Sequence, residues 1–138
     1  MDVMECRCKE DFSVECLSLQ TKATLATDAP KENGGKGLLF SPTDLLALSL
    51  GSCILTLMAM KAASLKVDMG GCRCFIKKAM KPVPARMLDR IEVEIFCPVS
   101  FSKEIEDKLI HAAKTCPVKN SLHPDIEQVL TFHFGATP

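Results

Sequence analysis

The sequence contains no tryptophan and no tyrosine, so its large aromatics are seven phenylalanines. A platform for stacking nucleobases has little to draw on. A net charge is also missing, with 17 Lys and Arg offset by 17 Asp and Glu. Without a basic excess the chain lacks the electrostatic footprint for nucleic acid or an anionic membrane surface, and neither is expected as a partner. No G-x-G-x-x-G, P-loop or G-x-S-x-G occurs. Gly34-Gly35-Lys36-Gly37 lacks the GK[ST] step and the strand–loop–helix frame of a phosphate loop. The opening Met1-Asp2-Val3-Met4-Glu5 is acidic where a secretory leader is basic and then apolar. Low-complexity tracts and internal repeats are absent too.

What is present is 138 residues, 47% apolar and 25% charged. That is ordinary globular composition, and the length suits a single domain over 1–138 with a real core. There are eight cysteines: Cys6, Cys8, Cys16, Cys53, Cys72, Cys74, Cys97 and Cys116. With no leader and an adequate core, most read as reduced core or strand residues in a reducing, cytoplasmic compartment rather than as a disulfide framework.

Punctuation and periodicity divide the chain into ββ(β)–α–ββ–α–β, an α+β arrangement. Residues 3–27 alternate in two or three short strands, and Asp28 to Gly37 is a loop by its Pro, Asn and Gly content. Ser41-Pro42-Thr43-Asp44 is a helix start, with Ser41 as N-cap, Pro42 at N1 and Asp44 at N3 returning a bond to the cap amide. From Leu45 to Met60 run sixteen residues without a charge. The run is short for a bilayer span and long for a strand, which predicts a helix to about Leu65 buried on all sides. Small residues flank Cys53 on this helix (Ala47, Ser49, Gly51, Ser52), and its apolar girth suggests an intimate dimer. Cys72–Ala79 and Arg90–Cys97 alternate as strands, the second with Ile91, Val93, Ile95 and Cys97 inward. A second helix is expected over about Ser102–Lys114, with Phe101 stapling its start, then a turn after Cys116-Pro117 and a strand over Glu127–Phe134.

Two cysteines stand out chemically. Cys53 lies mid-helix, where a thiol is ordinarily a small inert hydrophobe. Cys116 precedes Pro117 at a helix start, where orphan amides favour a thiolate; a plain chain reversal is the other reading. Cys6-x-Cys8 and Cys72-x-Cys74 each put two thiols on one strand face and could hold zinc if the strands were neighbours. His111, His123 and His133 are scattered. His133 alternates with Phe132 and Phe134 as a sheet-face residue, and His111 reads as part of a solvated helix face.

Leu39-Phe40-Ser41-Pro42-Thr43-Asp44-Leu45-Leu46-Ala47-Leu48-Ser49-Leu50-Gly51-Ser52-Cys53 resembles the signature of the osmotically inducible protein C/organic hydroperoxide resistance (OsmC/Ohr) family. Asp28-Ala29-Pro30 with Gly34-Gly35 resembles the segment leading into it, and Ala113-Lys114-Thr115-Cys116-Pro117-Val118 is similar to the family's second motif, sixty-three residues on from Cys53. The resemblance covers about residues 20–134. It implies an intertwined homodimer, with antiparallel sheets wrapped around two long central helices. It also implies a thiol peroxidase for organic hydroperoxides, with Cys53 as peroxidatic thiolate, Cys116 as resolving cysteine and an external dithiol as reductant. The apolar residues Leu50, Ile54, Leu57 and Met58 would line the substrate pocket. No metal and no cofactor is implied.

The sequence departs from the family pattern at the group that activates the thiolate. The peroxidases use an Arg held by a Glu, whereas here Thr43 follows Pro42, Asp44 is the nearest acid, and no Arg occurs between Arg7 and Arg73. Lys22, Lys31 and Lys36, or Arg73, Arg86 and Arg90 from elsewhere in a dimer, are the available cations, and a Lys lacks the planar fork of an Arg. The alternative is therefore an OsmC-like protein that binds an apolar ligand or senses redox state, with little peroxidase activity.

Overall fold

Each expected strand forms at, or within a few residues of, its alternating stretch. The computed structural model describes all 138 residues, and their internal contacts divide the chain into two compact units, 1–46 and 47–138.

The first unit holds strands β1 (Met4–Cys8), β2 (Ser13–Ser18) and β3 (Thr24–Asp28) in the order β1-β2-β3. Both pairings are antiparallel, with Cys6 opposite Cys16 and Cys16 opposite Leu25. The loop that follows is pinned by Asp28, whose buried carboxylate accepts the Leu38 and Leu39 N–H groups at 3.0 and 3.1 Å. Gly35 is required here. A Cβ on it would lie 2.0 Å from the Ala29 carbonyl oxygen, a backbone atom that cannot step aside.

The second unit is a sheet of β4 (Arg73–Met80), β5 (Leu88–Cys97) and β6 (Glu127–Phe134), with β4 antiparallel and β6 parallel to the central β5. The parallel pair needs a crossover. The residues between β5 and β6 supply it as α2 (Lys103–Lys114) and the short α3 (Pro117–Ser121). Ile91, Val93, Ile95 and Cys97 are at most 1% exposed, as their alternation predicts. Phe101 does not staple α2: the N4 position is Glu106, whose carboxylate accepts the Phe101 N–H at 3.1 Å, and the Phe101 ring meets Phe134 edge-on.

The long helix α1 spans Pro42–Ser64. By length and composition it could cross a membrane, seven residues beyond the uncharged run that looked too short. Here it packs on the sheet through one stripe: Ala47, Leu50, Gly51, Ile54, Met58 and Ala62 are buried. Burial on all sides is not what a single chain provides. Leu48, Ser52, Thr56, Ala59, Met60 and Ala63 are exposed on the opposite stripe. Gly51 sets the approach of helix to sheet, since a Cβ there would lie 2.8 Å from Ile76 Cδ1 and 3.1 Å from Cys74 Sγ.

The core is rich in thiols, and this gives it an alkaline limit. Burial and a hydrogen bond with Cys72 push the Cys97 thiol up from 9.0 to about 12, and burial raises Cys72 and Cys74 as well. The native state then holds protons that the unfolded chain releases above about pH 9, so stability is fully present below that pH and is lost as pH rises towards about 12. We expect unfolding free energy to fall through this window by up to about 1.4 kcal/mol per pH unit for Cys97, with the melting temperature falling alongside. Cys97→Val should flatten the dependence in a thermal-melt series; an unchanged slope would refute the assignment.

Candidate functional site

The N-terminus of α1 lies in the first unit. The Ser41 N–H donates to Asp44 Oδ2 at 2.8 Å, and the Asp44 N–H donates back to Ser41 Oγ at 3.1 Å. This reciprocal pair is a capping box. It satisfies two amides that have no intrahelical partner, and it places Asp44 at N3 as expected. Ser41→Ala should cost about 1 kcal/mol of stability, read by chemical denaturation, because the Asp44 amide loses its acceptor. No change would mean that the cap is redundant. Ser41 and Asp44 also face an open cavity of about 400 Å³, together with Asp28, Lys31, Glu32 and Leu39.

Further along the helix Cys53 is half-buried and free, and Cys116 is fully buried and free. Cys116 is the N-cap of α3, with Pro117 at N1 and its sulfur accepting the Lys119 N–H at 3.4 Å. Cys53 and Cys116, sixty-three positions apart in sequence, are brought near enough by the fold for one thiol to act on the other. Burial raises the Cys116 thiol above its ordinary value, the bond with Cys53 raises it further, and the Lys119 amide works in the opposite direction. Cys116 therefore keeps its proton near neutral pH. The thiolate expected at Cys116 from its helix-start position does not follow, because burial outweighs the amides of a one-turn helix.

Of the four residues expected to line a pocket, Leu50, Ile54 and Met58 are 0% exposed and belong to the core. Their spacing of four places them on the sheet-facing stripe, so within this chain they are closed to a ligand. Leu57 differs: it is half-buried and lies one turn beyond Cys53 on the same helix face.

The cations are mostly committed. Lys36 pairs with Asp11 at 2.6 Å, Arg90 bonds Glu92 and Glu127 at 2.7 and 2.5 Å, and Arg73 lies over the Phe75 ring. Arg73 and Arg90 alternate with the inward residues of β4 and β5, which puts them on the sheet face away from the core. Arg86 is exposed in the loop between those strands, and Lys31 shares the cavity with Asp44.

Cys6-x-Cys8 and Cys72-x-Cys74 fall in different elements. The first pair lies in β1, whereas Cys74 belongs to β4 of a different sheet, with Cys72 just ahead of that strand. No group of three or more His, Cys, Asp or Glu side chains is arranged to hold a metal ion. His133 is a sheet-face residue as read, 3.0 Å from Glu94 and stacked on Phe96. Two features escaped the sequence. The loop-pinning Asp28 has only an Asp-Ala-Pro turn signal, and the pairing of Cys6 with Cys16 becomes visible only once the hairpin register is known.

Known proteins share this fold. Residues 34–130 match the family model for OsmC-like protein. Among solved structures, a Psychrobacter arcticus protein whose name ties it to osmotic stress induction and a detoxification response is 35% identical, with 96% of each chain covered and a TM-score of 0.91. An OsmC-like protein from Mycoplasma pneumoniae is 19% identical over 99% of this chain and 98% of its own, with a TM-score of 0.76. An organic hydroperoxide resistance protein from Legionella pneumophila is 15% identical over 96% of both chains, with a TM-score of 0.75. No curated protein matched the chain. With the family model covering well over half of its length, the chain belongs to the OsmC-like family.

Proposed function

We propose that this protein is a thiol peroxidase that reduces organic hydroperoxides at Cys53 and resolves the product with Cys116. The observation that supports this most is a pair of free thiols that the fold brings near each other, Cys53 half-buried and Cys116 buried. In the proposed cycle the Cys53 thiolate attacks the outer oxygen of the hydroperoxide, and the O–O bond breaks. The alkoxide takes a proton and leaves as alcohol, with Cys53 as sulfenic acid. Cys116 then attacks the Cys53 sulfur, water leaves with the Cys116 proton, and a disulfide closes. An external dithiol exchanges with that disulfide, returning two thiols and departing as its own disulfide.

Leu57, one turn from Cys53, is the pocket residue we retain, to favour an alkyl chain over hydrogen peroxide. The exposed apolar stripe of α1 fits a second copy of the chain, so the working form is proposed to be a homodimer. Asp44 serves the helix cap first, and any role as a charge partner follows from that position.

Steady-state assays with cumene hydroperoxide and a dithiol donor test the proposal. Turnover faster than with hydrogen peroxide supports it, and no consumption of either peroxide refutes it. The placement of Arg73 and Arg90 on the far face of the sheet favours one other reading, an apolar-ligand carrier with slow thiols. In that case a co-purified ligand would be seen by native mass spectrometry and Cys53 would react no faster than a free thiol.

A further inference from the structure

The peroxidase reading uses two of eight cysteines, and a second thiol pair lies in the first unit. Cys6 on β1 and Cys16 on β2 are directly opposite each other in the antiparallel register, with their sulfurs 3.5 Å apart. Directly opposed residues of antiparallel strands have Cα atoms about 4.5–5.5 Å apart, inside the range of about 4.4–6.8 Å that a disulfide spans. Side-chain rotation, without backbone movement, can bring the sulfurs to bonding distance. Cys6 is exposed and Cys16 half-buried. We propose that Cys6 and Cys16 form a second redox site, a surface dithiol that takes its oxidising equivalents from small-molecule disulfides.

The step balances as two exchanges. The Cys6 thiolate attacks one sulfur of the external disulfide, forming a mixed disulfide and expelling one thiolate. Cys16 gives up its proton and attacks the Cys6 sulfur, the second external thiolate leaves, and the Cys6–Cys16 bond forms. The protein loses two electrons and two protons, and the small disulfide becomes two thiols. The order of attack follows from exposure. It agrees with the Cys16 thiol being raised by its hydrogen bond with Cys6, which keeps the proton on the sulfur that reacts second.

The fold supplies its own controls. Cys8 lies two residues along the same strand but faces Val14, so it has reach to solvent without a sulfur opposite. Cys72 and Cys97 also pair, but Cys97 is 0% exposed and its thiol is pushed up to about 12, so that pair is closed to an outside disulfide.

The test uses full-length Cys53→Ser protein, so that the outcome is independent of the peroxidase reading. The protein is exposed to oxidised glutathione under native conditions and mapped by mass spectrometry. Trypsin cleaves after Arg7 and so separates Cys6 from Cys8. The expected result is a Cys6–Cys16 cross-linked peptide, formed before any product at Cys72 or Cys97 and reversed by dithiothreitol. Adding Cys16→Ser should trap glutathione on Cys6, whereas adding Cys8→Ser should change nothing. The proposal is overturned if Cys6 stays free while a denatured control reacts. It is also overturned if Cys8 is glutathionylated as fast as Cys6 and no cross-link forms.

Discussion

Cys53→Ser is expected to lower organic hydroperoxide turnover by on the order of 1,000-fold or more, the scale on which removal of a covalent nucleophile acts. The substitution exchanges sulfur for oxygen at a half-buried helix position and should leave the fold intact. Cys116→Ser should behave differently. Its sulfur is fully buried near Cys53, so in the proposed cycle it takes part only after the O–O bond has broken. That variant should reduce about one equivalent of hydroperoxide at a near-normal rate and then stop at Cys53 sulfenic acid, which a dimedone-type trap captures. Equal loss of the first turnover in both variants would mean that Cys116 acts before the chemistry, by holding its proton against Cys53, and the assignment of roles would need revision.

Ile54→Ala is expected to destabilise the protein by about 2–5 kcal/mol while leaving the rate constant per folded molecule near that of wild type. Ile54 has no exposure and packs beside Leu50 and Met58 in the core, so truncation removes transfer free energy and leaves a cavity. If instead Ile54 lined the substrate pocket, KM for a bulky hydroperoxide would rise with little change in stability. Leu57→Ala is the matched comparison, because Leu57 is half-buried on the Cys53 face. It should raise KM by several-fold at a cost of about 1–2 kcal/mol, in keeping with partial burial. Denaturant melts together with steady-state kinetics on the two variants separate the readings.

Alternation and capping made most of the architecture legible. Ile91, Val93, Ile95 and Cys97 lie inward as their period of two requires, and Ser41 and Asp44 exchange the bonds that their spacing of three anticipates. Apolarity could not say which side of α1 meets its own sheet. With Leu, Ala and Met on every face, the stripe is seen only in the packed structure, where Gly51 closely approaches Ile76 and Cys74. Leu50, Ile54 and Met58, expected at a pocket, lie in the core on that stripe. The protonation of Cys116 was likewise invisible. Its helix-start position argued for a thiolate, and only the burial and the facing Cys53 sulfur reverse the sign. Motif order and spacing, by contrast, carry the family assignment in the sequence itself, and the family model matches residues 34–130.

The most direct test of the account is a disulfide map of wild-type protein after one equivalent of cumene hydroperoxide, quenched with an alkylating reagent. The account predicts one Cys53–Cys116 cross-link per chain, with Cys72, Cys74 and Cys97 still free and one molecule of alcohol released. If Cys53 and Cys116 both remain alkylated while the peroxide persists, the protein shares the fold of the OsmC-like family and not the proposed peroxidase chemistry.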